Sequence, residues 1–255
     1  CMIGQSKNVW QAEIDVSNEA PDFLRFHTAY ANDMMNEQPR SPNDCSIWNM
    51  TEYRPLEGFV TAIAPFNFSA IAANLAATPA LMGNTVLWKP SPTAALSNYM
   101  LMELFEDAGV PPGVINFVPS QPDAISKVLR HQMMAGVAFT GSTRTFQTIW
   151  RNIAEAIPTY RNFPRISGET GGKNFHLVHP SAHIPTVVAS TVRSAFEYQG
   201  QKCSACSRFY VPKTKWPEIK QGLIETVAQL KMGQPDDFSS FMCAVIDKNS
   251  FEKCT

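Results

Sequence analysis

Short apolar runs alternate with helical spacing of apolar side chains from residue 58 onward. The apolar runs, bounded by Gly, Pro or polar residues, predict strands over 59–65, 85–89, 114–118 and 137–140. Apolar side chains three and four residues apart predict helices over 69–82, 93–108, 123–131 and 143–157. This alternation predicts a parallel sheet covered by helices on both faces, a Rossmann-like α/β layer.

The flanking segments have different patterns. Residues 8–37 predict a helical layer with Pro21 as a break or restart, 38–50 a loop, and 46–54 an exposed strand. After Arg165 a second α/β pattern begins, and its elements are predicted at 174–178 (strand), 185–198 (helix), 208–211 (strand) and 216–232 (helix, with Gly233 as its C-cap). These patterns predict three parts: an N-terminal layer and linker (1–50), a Rossmann-like domain (51–168) and the start of a second α/β domain (169–255).

Composition narrows the class of partner. The chain has 255 residues, 44% of them hydrophobic, which is enough for a sizeable core. A net charge of −1 favours neither nucleic acid nor an anionic membrane, so we expect a small-molecule partner. The apolar stretch 63–83 carries polar residues and two prolines, and predicts a strand and a buried helix rather than a membrane span.

Six scattered cysteines, at positions 1, 45, 203, 206, 243 and 254, predict reduced thiols in a chain of this size. The first residue is Cys1 rather than Met, and a helical-looking segment runs to the last residue. We therefore expect a fragment.

Polar and glycine residues follow three of the predicted strands, where open parallel sheets bind ligands. Lys89 could reach a ribose or phosphate, and the helix start after Gly141 and Ser142 could hold a pyrophosphate. Each also has an ordinary interpretation, because Gly-Ser is a common N-cap and a lysine at a strand end is usually solvated.

Cys203 lies in a small polar loop between a predicted helix and a predicted strand. A thiol is nucleophilic only as the thiolate, and nearby cations such as Lys202 and Arg208 favour that form. Free cysteines are also among the most buried residues, so the loop alone fits a packing residue equally well.

Five motifs together resemble the aldehyde dehydrogenase superfamily in order and spacing. They are Ala64-Pro65-Phe66-Asn67-Phe68, Leu87-Trp88-Lys89-Pro90-Ser91, Phe139-Thr140-Gly141-Ser142, Glu169-Thr170-Gly171-Gly172-Lys173 and Gly200-Gln201-Lys202-Cys203. The resemblance extends over residues 4–251 and covers the middle part of those longer enzymes. It implies an aldehyde dehydrogenase-like α/β fold, with a Rossmann-like NAD-binding domain followed by the truncated start of an α/β catalytic domain.

The resemblance also implies an NAD-dependent oxidation of an aldehyde. Cys203 is then the nucleophile that forms a thiohemiacetal and a thioester. Asn67, with the Cys203 N–H, stabilises the oxyanion. Glu169 is the general base for hydrolysis, and a water-activating base argues against a CoA-acylating enzyme. The implied NAD-binding residues are Ala64, Phe66, Lys89, Ser91, Gly141, Ser142, Thr143, Arg144 and Thr145.

The motifs are most similar to the branch of the family that oxidises L-glutamate γ-semialdehyde in proline degradation. Lys202 and Ser204 suit a carboxylate-bearing aldehyde, and Phe68 and Glu19 are expected to line its tunnel. The branch implies a mitochondrial matrix location and a homodimer at full length. Another aldehyde, or an inactive dinucleotide-binding or structural fragment, is the alternative.

Two patterns offer other chemistry. Cys203 and Cys206 have the spacing of a redox pair or half a zinc site, but a strand follows them and no second pair exists. His176, His179 and His183 are close in sequence, but alternate strand faces and Pro180 separate them. We expect no metal site.

Overall fold

The computed structural model describes residues 1–44 and 46–254. They form two compact units, which we call the large unit (Asp15–Glu169) and the split unit (Cys1–Ile14 with Thr170–Thr255). The three-part division predicted from the sequence stays a prediction, because compactness does not establish which segments fold as independent domains. Cys45, one of the predicted reduced thiols, lies outside the described residues.

The helices and strands are numbered in chain order. The helices are α1 Met2–Gln5, α2 Val9–Ala12, α3 Glu19–Asn36, α4 Ser69–Leu81, α5 Ala95–Asp107, α6 Pro122–Leu129, α7 Thr143–Glu155, α8 Ile184–Phe196, α9 Trp216–Ala228 and α10 Lys248–Cys254. The strands are β1 Phe59–Ile63, β2 Thr85–Lys89, β3 Ile115–Phe117, β4 Met134–Gly141, β5 Arg165–Thr170, β6 Asn174–Leu177 and β7 Cys206–Tyr210.

The large unit contains a five-stranded sheet in the order β3-β2-β1-β4-β5. β1 pairs in parallel with β2 and β4, and β2 with β3, which confirms the predicted parallel α/β layer. Successive residues of β1 face opposite sides of the sheet. Ala62 packs in a buried cluster with Trp88, and Ile63 in a second cluster with Phe139. Because both faces are covered, the carboxyl ends of β1, β2 and β4 are left at one edge, where ligands bind in such sheets.

Two strand predictions for this unit differ from the structure. Residues 46–54 form no strand; their polar groups bond locally instead, as in Thr51 N to Gln38 Oε1 (2.8 Å). β5, absent from the prediction, adds to the edge of the sheet although its residues are mostly exposed and include Gly168. An exposed strand such as β5 is hard to predict from sequence, because the apolar runs that indicate strands arise from buried side chains.

The predicted break or restart at Pro21 is wrong, because α3 already begins at Glu19 and follows the preceding helical segment without a gap. A π-helical segment, Glu13–Asn18, precedes α3, and Pro21 falls in the first turn of α3. Proline is tolerated there because the first N–H groups of a helix have no intrahelical partner.

The split unit packs α8 and α9 on the parallel pair of β6 and β7. Its buried cluster includes Val178, Val187 and Ile219. The N-terminal segment is fixed to it by Asn8, whose Nδ2 donates to the carbonyls of Ser240 and Phe241, both at 3.0 Å.

The predicted C-cap at Gly233 is wrong. α9 ends at Ala228, and Gly233 N donates to Met242 O at 3.1 Å in a short parallel contact. A Cβ on Gly233 would lie 2.3 Å from Ser240 Oγ, so this glycine allows a close approach of two segments.

No helix among residues 1–44 and 46–254 combines the length and the low charge that crossing a bilayer requires.

Candidate active site

The carboxyl edge of the large unit's sheet brings most of the predicted cofactor residues together. Ala64 directly follows β1, and its N–H donates to Lys89 O at 3.0 Å, which ties the ends of β1 and β2. Phe66 and Asn67 are half-buried in the turn that leads to α4, and Phe68 is buried at its N-cap position. A short, fixed turn at a parallel strand end therefore carries the candidate oxyanion donor.

Lys89 is the last residue of β2 and is only 8% exposed. Its side-chain amine has no hydrogen-bond or ion-pair partner within residues 1–44 and 46–254, and burial lowers the pKa of Lys89. The side chain of Lys89 is therefore far less exposed than that of an ordinary lysine at a strand end. A buried cation needs a compensating partner, and an oxygen-rich ligand would provide one.

The end of β4 leads directly into α7. Ser142 is the N-cap, and its Oγ accepts from Thr145 N at 3.2 Å, which confirms the predicted cap. The first turn, Thr143 to Thr145, is exposed and has no acidic residue. Its N–H groups and the helix dipole favour an anion. Ser91, after β2, is half-buried, and its Oγ lies 3.1 Å from Thr93 Oγ1.

Glu169 lies on β5 at the edge of the same sheet, with an exposed side chain. Its neighbour Gly168 packs under the Phe146 ring of α7, and a Cβ there would lie 2.2 Å from that ring. Only glycine permits this contact, so the ring of Phe146 holds the strand segment that carries Glu169. Glu19, the first residue of α3, is half-buried in the large unit as well.

Cys203 belongs to the split unit, in a turn closed by Ala205 N donating to Lys202 O (3.3 Å). Its side chain is half-buried, and Ser204 is exposed. None of the five described cysteines is in a disulfide. Cys206 Sγ donates to Arg208 O at 3.4 Å.

The chain enters this turn through a strained segment. After α8, Tyr198 (φ 51°) and Gln199 (φ 56°) adopt left-handed backbone conformations, and Gly200 (φ 68°) follows. Such a conformation costs a non-glycine residue about 1–2 kcal/mol. Tyr198 is fully buried, its hydroxyl donates to Gln5 O at 2.9 Å, and Lys7 Nζ lies 4.6 Å from its ring centroid. The N-terminal segment thus stabilises the approach to Cys203.

Lys202, predicted to favour the thiolate and to bind a substrate carboxylate, forms an ion pair. Its Nζ lies 3.5 Å from Glu197 Oε2, and Arg193 Nη2 lies 3.6 Å from Glu197 Oε1. The Lys202 and Glu197 side chains are only 16% and 19% exposed. Burial strengthens the attraction between the two charges, so Glu197 helps to hold the loop around Cys203.

Sequence reasoning missed the groups that fix the Cys203 turn. Asn174 Nδ2 donates to Cys203 O at 2.6 Å, Gln201 Oε1 accepts from Ile246 N at 3.0 Å, and Gln199 Nε2 donates to Ala244 O at 2.5 Å. These contacts span 29 to 45 residues, so no local pattern shows them. The only sequence signal for these groups is their position: Gln201 lies within one of the five motifs, and Asn174 directly follows another.

The three histidines make separate local contacts. His176 Nδ1 lies 2.9 Å from Thr191 Oγ1, and His179 and His183 contact hydroxyls within three residues of themselves. In the part of the chain that the structure describes, no three His, Cys, Asp or Glu side chains converge on a point that could hold a metal ion.

Comparison with known proteins gives a consistent family. The model of the aldehyde dehydrogenase family matches residues 1–255. The mitochondrial delta-1-pyrroline-5-carboxylate dehydrogenases of Dictyostelium discoideum and Homo sapiens are 52% and 51% identical to the chain, covering 98% and 99% of it. The chain spans 45% of the length of each of these relatives.

Solved structures show the same fold. The delta-pyrroline-5-carboxylate dehydrogenase of Mycobacterium tuberculosis bound with NAD matches with a TM-score of 0.95 and 47% identity, over 99% of this chain and 47% of that one. A betaine aldehyde dehydrogenase of Staphylococcus aureus in complex with NAD⁺ matches with a TM-score of 0.85 and 25% identity, over 99% of this chain and 49% of that one.

Proposed function

We propose that this chain, which belongs to the aldehyde dehydrogenase family, takes part in the NAD-dependent oxidation of L-glutamate γ-semialdehyde to L-glutamate in proline degradation. The single observation that carries the cofactor is Lys89, a buried cation without a partner among the described residues, at a sheet edge that suits a dinucleotide. A dinucleotide is needed because an oxidation that releases hydride requires a hydride acceptor.

Cys203 supplies the nucleophile in this proposal. Its thiolate adds to the aldehyde carbon, so that an S–C bond forms and the carbonyl π pair moves to oxygen. Collapse of this oxyanion expels the hydride with its electron pair and leaves a thioester on Cys203. An aldehyde itself has no oxyanion to expel hydride, which is why the covalent step comes first.

Asn67 and Glu169 supply the polar groups of the two half-reactions. The Asn67 amide and the Cys203 N–H donate to the oxyanion, and losing one such donor costs about 3 kcal/mol in other enzymes. Glu169 then takes a proton from the water that attacks the thioester. The C–S bond breaks, and the carboxylate product leaves with the thiolate restored.

The cofactor residues proposed from the sequence fit a dinucleotide chemically. Lys89 and Ser91 would hold the adenosine ribose. The segment from Gly141 to Thr145 would hold the pyrophosphate, through backbone N–H groups that precede Thr145, since the Thr145 N–H already donates to Ser142 Oγ. Gly141 leaves space in this turn, because a Cβ there would lie 2.7 Å from the Phe139 ring. Ala64 and Phe66 would contact the nicotinamide side. NAD, when bound, supplies the hydride acceptor.

The choice of substrate rests on the relatives' names and on the residues around the nucleophile. Both relatives are called delta-1-pyrroline-5-carboxylate dehydrogenases, and that pyrroline is the cyclic form of the semialdehyde. We propose that Lys202 and Ser204 recognise its carboxylate and that Phe68 and Glu19 line its path. We also propose a mitochondrial matrix location, as several relatives' names say, and a homodimer at full length.

A comparison of substrates tests this proposal. The protein, expressed at its full length, is assayed by NADH absorbance with glutamate γ-semialdehyde, succinate semialdehyde and a neutral aldehyde of equal length. We expect kcat/KM for glutamate γ-semialdehyde to exceed that for the neutral aldehyde by about 10²-fold or more, because charge-assisted hydrogen bonds contribute about 1.5–3 kcal/mol each. Preference for the neutral aldehyde would overturn the assignment of Lys202 and Ser204, and absence of NADH formation with all three would favour a structural role for the chain.

Replacing Lys89 by methionine is expected to stabilise the fold and to weaken NAD binding. Burial lowers the pKa of Lys89 from its ordinary value of 10.5, so holding the charged form is a cost in the folded state. This cost is complete below the folded pKa and disappears as the pH rises toward 10.5, since the unfolded state binds more protons in that window. Lys89→Met should therefore raise the free energy of unfolding near neutral pH, with a gain that shrinks in alkaline buffer.

The same substitution removes a donor to the cofactor. We expect the Kd for NAD to rise about tenfold or more, the effect of losing a charge-assisted hydrogen bond. Urea unfolding at two pH values and NAD titration by protein fluorescence measure the two effects. The exposed Lys127 of α6 provides the control, because Lys127→Met should change neither quantity. An unchanged Kd for Lys89→Met would contradict the proposed contact.

A further inference from the structure

The backbone carbonyl of Cys203 lies close to two residues that the proposed mechanism does not use. Asn174 Nδ2 donates to this oxygen at 2.6 Å. Gly172 approaches it so closely that a Cβ added there would lie 3.1 Å from Cys203 O and 3.4 Å from Asn174 Nδ2. Two residues of one short segment therefore converge on the backbone of the candidate nucleophile.

The Cys203 turn has little regular structure to fix it. The residue lies outside every helix and strand, between the 3₁₀ turn Glu197–Gly200 and β7. An anchored carbonyl limits the movement of the Cys203 Cα, and with it the position of Sγ and the direction of the backbone N–H. The proposed reaction uses both Sγ and this N–H group, so a displaced carbonyl should lower the reaction rate.

The anchor is itself held rigidly. Asn174 begins β6, where it pairs with Cys206 of β7. Arg208, also on β7, donates from Nε (3.0 Å) and Nη2 (2.5 Å) to the carbonyl of Lys173. The strand that follows Cys203 thus fixes the segment that carries Asn174, and Asn174 fixes Cys203 in return.

We propose that Asn174 is a positioning residue for the Cys203 thiol. Residue 172 is glycine because a larger side chain would displace the hydrogen bond between Asn174 Nδ2 and Cys203 O. The inference rests on the proposed function, since it assigns a role around the same nucleophile. Asn174 is exposed, so its side chain contributes little to the packing of the split unit. Its conspicuous interaction is the short bond to Cys203.

Asn174→Asp gives the sharpest test. The carboxylate keeps the shape of the amide but has no N–H donor, and it places a negative charge beside the carbonyl oxygen of Cys203. In the full-length protein we expect kcat to fall by about 10- to 100-fold. The lower limit corresponds to the loss of one hydrogen bond, and the upper limit to a reacting group displaced by about 1 Å. The KM for the aldehyde should change by less than about threefold, because the loss affects the reacting group rather than substrate binding.

Thiol labelling gives a readout that a merely structural role would not move. Iodoacetamide labelling of Cys203, followed by peptide mass spectrometry, should slow in Asn174→Asp, and its pH midpoint should rise because a negative charge disfavours the thiolate. Labelling of Cys254, an exposed free thiol on α10, in the same sample is the internal reference and should keep its rate. Equal slowing at both cysteines, or a lowered thermal midpoint that accounts for the loss, would overturn the positioning role.

The adjacent glycines offer a matched pair. Gly171→Ala meets nothing within 4 Å, whereas Gly172→Ala meets the Cys203 carbonyl and the Asn174 amide. Neither glycine has a positive φ, so the two substitutions differ mainly in this contact. We expect Gly172→Ala to reproduce the loss in kcat and labelling and Gly171→Ala to leave both near the wild type; equal behaviour of the pair would contradict the inference.

Failure of this inference can be told from failure of the proposed function. If Cys203→Ser abolishes NADH formation while Asn174→Asp leaves kcat, labelling and its pH midpoint unchanged, Cys203 is the nucleophile and Asn174 does not position it. If Cys203→Ser keeps full activity, the proposed function itself fails.

Discussion

Cys203→Ser is expected to abolish aldehyde oxidation. Serine differs from cysteine by one atom, so the half-buried side chain should fit its turn, but a hydroxyl is barely ionised near neutral pH and attacks an aldehyde far more slowly. We expect kcat/KM to fall by about 10⁴-fold or more, in line with losses of a nucleophile in other covalent enzymes. NADH formation with saturating glutamate γ-semialdehyde, followed until a slow residual rate can be fitted, measures this effect.

The matched control is Cys206→Ser, in the same loop. Its thiol donates to Arg208 O and has no part in the proposed reaction, so activity should stay within about twofold, as for a substitution away from the reacting groups. NAD titration should give the same Kd for both variants and thereby show that each is folded. Loss of activity in Cys206→Ser with retention in Cys203→Ser would reverse the assignment of the nucleophile.

The sequence predicts the sheet of the large unit well because its strands are buried on both faces. β1 and β2 are short apolar runs whose residues alternate between two clusters, and that burial is what an apolar pattern records. The Ser142 cap is also local, with its partner only three residues away. Elements whose causes lie within a few residues are therefore predictable from sequence.

The errors have causes that lie far along the chain. α9 ends five residues before Gly233, and that glycine is explained by Ser240, not by a helix end. β5 exists because β4 offers an edge to pair with, although its own residues are exposed. The left-handed turn at Tyr198 depends on Gln5, which is 193 residues away. Such contacts leave no periodic signal.

The features of the candidate site also fall into two groups, those that the sequence indicates and those that depend on distant contacts. The roles proposed for Cys203, Asn67 and Glu169 come from the sequence, because the motifs supply in order the residue types that such a reaction requires, and these roles stay predictions. The supports of Cys203 were not predictable, because Asn174 is an ordinary exposed polar residue in sequence and acquires a role only through its contact. Motifs thus predict which atoms react, while the structure shows which groups contact them.

Glu169→Gln is expected to leave the first turnover intact and to block the second half of the reaction. Glutamine keeps the size of the side chain but cannot accept the proton of the attacking water. A rapid burst of NADH, close to one per active site, should precede a steady state that is slower by about 10²–10⁴-fold, the usual contribution of a general base. The thioester should accumulate on Cys203 and be visible in the intact mass of the protein.

Hydroxylamine sharpens this experiment, because it attacks a thioester without help from a base. Added to Glu169→Gln, it should restore turnover and yield the hydroxamate of the product. Glu106→Gln, at another exposed glutamate of the large unit, should show neither burst nor slowing. Loss of the burst itself would indicate that Glu169 acts earlier, by taking the proton of Cys203, since a base needed only for hydrolysis cannot affect a hydride that has already left.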